Sequence, residues 1–290
     1  MVDRNAYGKR GYLNEDFRLF HIRDKNNKEI SGHYHEFHKI VLFLAGNASY
    51  VIEGRRYILE PGDFVLVGRG QVHWPEFGSS GICERIVLYI SSEFLRRYAD
   101  DSFNPESCFD PDFSGGNVIR FSSPLSKRMQ DKIVELESAL NDENWPGKEL
   151  LCSCMLMQFI TQLFRYAGAE GTQEVLTELF DEKIAAVLKF INDNIDEPLT
   201  IAELADRFYI SKYHMMRKFR DATGKSIHSY LSDRRLMQAR DLICSGVAAT
   251  EACYKCGFRD YSAFARAYKK LFGTSPKGIG SLPLSSSFKD

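Results

Sequence analysis

The sequence lacks the features that would place it outside the cell or in a membrane. It has no apolar run long enough to span a bilayer, and it does not begin with the basic segment and apolar stretch of a secretory signal. Its seven cysteines are an odd number, which argues against a disulfide framework and predicts reduced thiols. We therefore expect a cytoplasmic protein with no membrane partner. The cysteines are Cys83, Cys108, Cys152, Cys154, Cys244, Cys253 and Cys256.

The chain also has almost no net charge, but its charges are unevenly divided. Residues 183–280 hold 17 Lys+Arg against 10 Asp+Glu, a net charge of +7, whereas residues 1–182 hold 20 against 28, a net charge of −8. A length of 290 residues leaves room for two compact domains. A basic domain joined to an acidic one indicates that the basic domain binds nucleic acid.

Two helix-turn-helix patterns follow each other in residues 199–224 and 249–273. In the first, Thr200 and Glu203 have the spacing of a capping box, so a helix is predicted to begin there. Ser211 is the predicted N-cap of the second helix. Met215 and Phe219 are four residues apart and are predicted to pack inward. Because the second helix of such a motif enters the DNA major groove, the tandem predicts a DNA-binding domain.

The outer stripe of the first motif's second helix carries predicted DNA contacts. Arg217 is predicted to make a bidentate contact to guanine, and Met216 and Tyr213 to touch apolar base edges. Lys212 and Arg220 are predicted to reach phosphates, which position the helix without reading sequence. The alternative is a solvated helix face of mixed charge.

The second motif repeats this plan. Its turn falls at Gly257, its second helix is predicted to bury Phe264 and Tyr268, and Gly273 ends that helix. Arg266 is placed as a groove-reading arginine would be. The residues left on or near the outer face, all predicted to contact DNA, are Asp260, Tyr261, Ser262, Arg266 and Lys269.

The region from about Lys183 to Ile279 resembles the AraC/XylS family of bacterial transcription regulators. The resemblance implies a monomer whose two recognition helices, held by a linking helix, dock in successive major grooves on one face of the DNA. Ala248 removes the cap expected before the second motif, so that motif is expected to pack less firmly. The matching segments are Leu199–Ala205, Ser211–Phe219, Tyr230–Arg240, Gly257–Phe258 and Gly273–Pro276.

The first part of the chain is rich in short apolar or alternating runs separated by turn signals. This density predicts a β-sandwich or barrel. The order of His33, His35, Gly46, the Pro61-Gly-Asp turn and His73 resembles the cupin jelly roll, and the sensor arms of AraC-type regulators are similar. The runs are Phe17–Ile22, Lys39–Ala45, Ser49–Ile52, Tyr57–Leu59, Phe64–Val67 and Arg85–Ile90.

The histidines of this part leave two readings open. Metal-binding cupins would add a glutamate four or five residues after the first histidine pair, but Lys39 and Ile40 occupy those positions. The sequence therefore favours contacts to an organic effector, such as a sugar, over a metal site made by His33, His35, His38 and His73. The predicted effector pocket is lined by His33, His35, His38, His73 and Trp74, and no cofactor is expected.

Residues 125–140 and 151–166 have apolar residues at helical spacing, which predicts an antiparallel helix pair at the edge of the barrel. The resemblance makes this pair the predicted homodimer contact; the alternative is that it only covers the sheet. The predicted fold class is α+β with two domains, a cupin-like β-barrel with a helix pair and an all-α tandem helix-turn-helix domain. The predicted segments are a β domain at 1–122, a helix pair at 123–170, a linker at 171–182, a DNA-binding domain at 183–280 and a flexible tail at 281–290.

Together these patterns predict a transcription regulator that is not an enzyme. Its partners would be promoter DNA, a small-molecule effector and RNA polymerase. The alternative from another class is a metal-dependent cupin isomerase or dioxygenase fused to a DNA-binding domain; the missing glutamate argues against it.

Overall fold

The computed structural model describes residues 13, 15–25, 30, 32–78, 81–167, 172–173, 175, 177–179 and 182–277. The chain divides into two compact units, Met1–Leu179 and Phe180–Asp290. In this part of the chain no helix combines the length and the apolar character needed to cross a membrane. The tail predicted for residues 281–290 lies outside the described residues.

Antiparallel strands build most of the first unit. They form a six-stranded sheet of order β1-β7-β2-β5-β8-β9 and a four-stranded sheet of order β10-β4-β3-β6. All six predicted runs are strands, whereas β6, β8, β9 and β10 were not predicted from the sequence. The strands are β1 (Phe17–Asp24), β2 (His38–Ala45), β3 (Ala48–Ile52), β4 (Arg55–Ile58), β5 (Phe64–Val67), β6 (His73–Phe77), β7 (Cys83–Ile90), β8 (Val118–Phe121), β9 (Thr172–Gln173) and β10 (Thr177–Leu179).

The central strand β2 is buried on both faces, which explains its nearly continuous apolar sequence. Side chains alternate across a strand. Val41 and Phe43 pack into the core shared with the four-stranded sheet, and Ile40 and Leu42 pack into a second core on the other side. Two apolar layers therefore enclose the six-stranded sheet.

Helices close the second core. They are α1 (Ser92–Arg96), a 3₁₀ helix (Pro105–Phe109), α2 (Pro111–Ser114), α3 (Leu125–Asn141) and α4 (Lys148–Tyr166). The α3–α4 pair covers a face of the six-stranded sheet, with Met129, Leu136 and Phe159 fully buried in the core. The prediction that the pair lies at the edge of the barrel is therefore wrong, because the face opposite the second sheet needs an apolar cover. Leu151, predicted to belong to the inner stripe, is 43% exposed.

The segment predicted as a linker contains two short strands. β9 pairs with β8, and β10 pairs with β4, so this segment adds a strand to each sheet of the first unit. These pairings tie residues up to 179 to the β-rich unit.

The second unit is entirely helical over its described residues. Thr200 and Glu203 form the predicted capping box, Ser211 accepts a hydrogen bond from the His214 N–H, and Gly273 ends the last helix in a left-handed conformation. No side chain caps α9, as the alanine before it predicts. The helices are α5 (Glu182–Asp193), α6 (Ile201–Arg207), α7 (Lys212–Thr223), α8 (Ile227–Cys244), α9 (Ala249–Lys255) and α10 (Tyr261–Phe272).

Arg235 of the linking helix α8 joins the two motifs. Its guanidinium donates hydrogen bonds to the carbonyl oxygens of Ile195 at 2.6 Å, Glu197 at 2.6 Å and Gly257 at 3.1 Å. The first two carbonyls lie in the loop before α6, and the third lies in the turn between α9 and α10. One side chain therefore fixes the second motif's turn against the entry to the first motif.

Cys253 and Cys256 belong to the apolar core of the second motif and are fully buried. Burial raises the pKa of the Cys256 thiol to about 11. The thiol therefore stays protonated near neutral pH, and both cysteines act as small apolar side chains of this core.

Candidate DNA-reading helices and effector site

Helix α7 is divided sharply into a buried and an exposed face. Met215 and Phe219 are fully buried, as predicted, and Phe219 packs edge-on against Tyr230 of α8 at 5.5 Å. The five predicted contact residues all lie on exposed positions: Lys212, Tyr213, Met216, Arg217 and Arg220. An exposed Met and a 74% exposed Tyr beside arginines form a surface with both apolar and cationic groups, which suits base edges and phosphates.

Helix α10 presents a similar but smaller surface. Phe264 and Tyr268 are fully buried, and Ser262, Arg266 and Lys269 are exposed. The other two predicted contacts have structural tasks. Asp260 is the N-cap of α10, where its carboxylate accepts the Ala263 N–H at 2.6 Å, and Tyr261 is half-buried against Phe264.

A residue that the sequence analysis did not single out lies in the turn between α6 and α7. Tyr209 is 89% exposed and has a φ of +52°, a left-handed conformation that non-glycine residues rarely adopt. Tyr209 occupies the same position after α6 as Gly257 occupies after α9. In the first motif the N–H of the following residue, Ile210, donates to the carbonyl of Ala205. In the second motif the N–H of Phe258 donates to the carbonyl of Cys253 in the same way. The two turns therefore share one geometry, and comparing them would have revealed the strained tyrosine.

In the first unit, three of the predicted effector residues converge in the space between the two sheets. His33 and His73 are joined by two backbone hydrogen bonds of 3.1 and 2.9 Å, and His35 stacks on Phe37 at 4.5 Å. One ring nitrogen of each histidine lies within 4.8 Å of the others, and all three residues are buried. We call His33, His35 and His73 the histidine cluster.

Lys39 of β2 reaches this cluster from the six-stranded sheet. Its Nζ donates to the Tyr50 hydroxyl at 2.6 Å and lies 3.5 Å from Nε2 of His73, although only 7% of the residue is exposed. Burial, together with the nearby Arg85, lowers the pKa of Lys39 to about 7. Burial raises the pKa of Tyr50, so its phenol remains protonated.

The hydrogen bonds of His73 define its tautomer. Nδ1 lies 3.0 Å from the Gln71 carbonyl oxygen, which can only accept, so Nδ1 carries the proton. Nε2 is then the acceptor for Lys39. Burial, followed by the charges of Lys39 and the two other histidines, holds the pKa of His73 well below its ordinary value, so the ring is neutral.

The structure separates the other two predicted effector residues from the cluster. His38 precedes Lys39 on β2 and therefore faces the other side of the sheet, where it packs on Phe109 at 4.3 Å. Its Nε2 lies 3.1 Å from both the Ser92 hydroxyl and the Glu106 carboxylate. Trp74 follows His73 on β6, so its half-buried side chain lies on the opposite face of that strand.

Two protein-family models match the chain. The model of a helix-turn-helix domain matches residues 204–279, and the model of an AraC-like ligand binding domain matches residues 19–160. These ranges fall in the helical unit and the β-rich unit, respectively.

Curated relatives are similar along most of the chain. The HTH-type transcriptional activator RhaS of Citrobacter koseri is 25% identical over 251 residues, which cover 85% of this chain and 86% of the relative. RhaS of Yersinia pestis bv. Antiqua is 26% identical over 250 residues, 86% of this chain and 88% of the relative. Among solved structures, ToxT from Vibrio cholerae is 13% identical with a TM-score of 0.36, covering 91% of this chain and 97% of that chain.

Proposed function

Because the chain belongs to the AraC family of transcription regulators, with a ligand-binding and a DNA-binding domain, we propose specific roles for its residues. Helices α7 and α10 read promoter DNA, with Arg217 and Arg266 contacting base edges. The histidine cluster and Lys39 hold the small-molecule effector. The protein then alters transcription according to whether the effector is bound.

The separation of faces on α7 carries the DNA-reading part of this proposal. The apolar side of α7 is buried in the core of the second unit. Three of the four lysine and arginine side chains of the helix are exposed together with Tyr213 and Met216. A face built only for solubility would not need an exposed Met or an exposed Tyr. In the DNA major groove the same side chains gain apolar contacts with thymine methyl groups and hydrogen bonds with guanine.

The effector part rests on the enclosed position of the cluster. Its polar side chains converge between two sheets, in an apolar surrounding, as the few orienting groups of a ligand site do. The α10 contacts are proposed for Ser262, Arg266 and Lys269; Asp260 and Tyr261 contribute mainly by fixing the start of the helix.

The names of the relatives support a proposal for the direction of regulation. The relatives are named transcriptional activators, so we propose activation, with RNA polymerase as a partner at the promoter in the cytoplasm.

Val134 of α3 and Leu150 and Leu151 of α4 are 49%, 69% and 43% exposed. These three apolar side chains stay exposed although the helix pair covers the sheet, and we propose them as the contact surface of a homodimer.

Two exposed cationic residues of α7 provide a matched test. Arg217→Ala should weaken binding to a selected DNA site by about 1–3 kcal/mol and lose preference at one base position. Lys212→Ala should weaken binding to all sequences alike and reduce the salt slope by about one. The measurement is fluorescence anisotropy of the full chain on a set of single-base variants at several salt concentrations. Retained base preference in Arg217→Ala would contradict the assignment.

A further inference from the structure

The position of Lys39 determines which charge the effector site accepts. The side chain lies on the inner face of the six-stranded sheet, since it alternates with His38 and shares its face with Val41 and Phe43. Its described hydrogen-bond partners are the Tyr50 hydroxyl and His73 Nε2, which are both neutral. Among the described residues no carboxylate pairs with it.

Three converging histidines are a donor set that could hold a metal ion, but Lys39 does not fit such a site. Since Nδ1 of His73 bonds to a carbonyl, Nε2 is the atom that would bind the metal. That atom already faces the Lys39 amine at 3.5 Å. A divalent cation there would have to displace the Lys39 amine from this ring nitrogen and keep that amine unprotonated, in the region where the cupin pattern would supply a glutamate. The residues therefore do not fit a cupin metal centre.

We propose that the effector is a small organic acid whose carboxylate binds between Lys39, His33 and His35. This inference rests on the proposed effector site and names the chemical class that the site takes. The bound anion keeps Lys39 protonated, and the resulting ammonium supplies the counter-charge, because a buried charge is stable only when it is paired. His33 and His35 each donate one ring N–H to the carboxylate, and His73 acts as a positioning residue that orients Lys39.

The other groups around the site agree with an anionic ligand. The hydroxyl of Tyr50, on β3 of the opposite sheet, can donate to a carboxylate oxygen while it accepts from Lys39. Tyr89 of β7 lines the same space through its contacts with His35 and Phe37 at 5.6 and 4.4 Å. Among the described residues around the site, Arg85 is already paired with Asp24 at 3.1 Å, whereas Lys39 has no carboxylate partner.

Thermal denaturation of the full-length protein in the presence of six small compounds tests this proposal. Sodium acetate is compared with sodium chloride at equal ionic strength, with sodium phosphate, and with a zinc salt. Gluconate is then compared with glucose, which has the same six carbons but is cyclic and carries no charge. We expect acetate and gluconate to raise the melting temperature in a saturable way, whereas chloride, phosphate, glucose and zinc do not.

Two variants place the effect in the molecule. Lys39→Met removes the charge at similar length and should weaken acetate and gluconate binding at least about tenfold, the factor that 1.4 kcal/mol represents. Lys127→Met is the control, because Lys127 is exposed on α3 and pairs only with Asp131 among the described residues; it should leave both responses unchanged. If Lys39→Met does not fold, the comparisons on the unmodified protein still decide the matter.

Several results would overturn the proposal. They are no response to acetate or gluconate, a response to phosphate, glucose or zinc instead, or an equal acetate response in folded Lys39→Met. The proposed function fails in a different way. It is refuted if a compound that binds the first unit leaves DNA binding unchanged, whatever the charge of that compound.

Discussion

Replacing Gly257 by alanine should damage the second helix-turn-helix motif far more than an ordinary glycine substitution. Gly257 has a φ of +77°, and an added Cβ would lie 2.4 Å from the Asp196 carbonyl oxygen and 3.0 Å from the Arg235 guanidinium carbon. The left-handed conformation alone costs an alanine roughly 1–2 kcal/mol. The collision is with backbone, so it is relieved only by moving the turn away from Arg235.

The loss can be estimated from the hydrogen bonds of Arg235. Moving the turn breaks its bond to the Gly257 carbonyl, and a hydrogen bond to a charged group contributes about 1.5–3 kcal/mol. Added to the backbone strain, Gly257→Ala should cost about 3–5 kcal/mol. Gly273→Ala is the matched control, because Gly273 has a φ of +78° but a Cβ there would meet nothing within 4 Å. That variant should cost only roughly 1–2 kcal/mol.

Hydrogen exchange measured by mass spectrometry suits this comparison. The chain has two compact units, so a single global unfolding energy is not well defined, whereas exchange gives local opening energies. Peptides from α9 should lose protection in Gly257→Ala much more than in Gly273→Ala. Equal losses in the two variants would refute the idea that Arg235 and this turn hold the motifs together.

Two further substitutions test local features of each unit. Tyr209→Gly should stabilise the second unit by about 1 kcal/mol, because glycine adopts the left-handed conformation without strain and the tyrosine side chain is 89% exposed. A lower opening energy in α6 peptides of this variant would argue against this. Asp63→Ala should destabilise the first unit by about 3 kcal/mol, because fully buried Asp63 accepts two 2.8 Å hydrogen bonds from Arg120. Arg120 keeps one carboxylate partner in this variant, since it also pairs with Glu60. Exchange in β5 and β8 peptides measures this loss, and unchanged protection would show that the pair adds no stability.

The features that the sequence predicted well are local ones. The Thr200–Glu203 capping box, the Ser211 N-cap and the inward pair on α7 depend on residues within four positions of each other, so their spacing is visible in the chain. The six apolar runs are also local, and each became a strand. Asp260 is an N-cap of the same kind as Ser211, and its spacing to Ala263 would have revealed this role.

The features that the sequence missed depend on long-range packing or on facing directions. The position of α3 and α4 on a sheet face follows from the pairing of β2 with strands far away in the chain. The separation of His38 from the cluster follows from alternation along β2. Lys39 was recognised only as a missing glutamate, because its buried contacts with Tyr50 and His73 come from two other strands.

The most direct test of the central claim is selection of binding sites from random DNA by the unmodified full-length protein. If α7 and α10 both read DNA, each bound protomer should select two short elements in successive major grooves, about 10 base pairs apart from centre to centre. Arg266→Ala should relax only one of these elements, and Arg217→Ala only the other. A single selected element per protomer, insensitive to Arg266→Ala, would contradict the account of two DNA-reading helices.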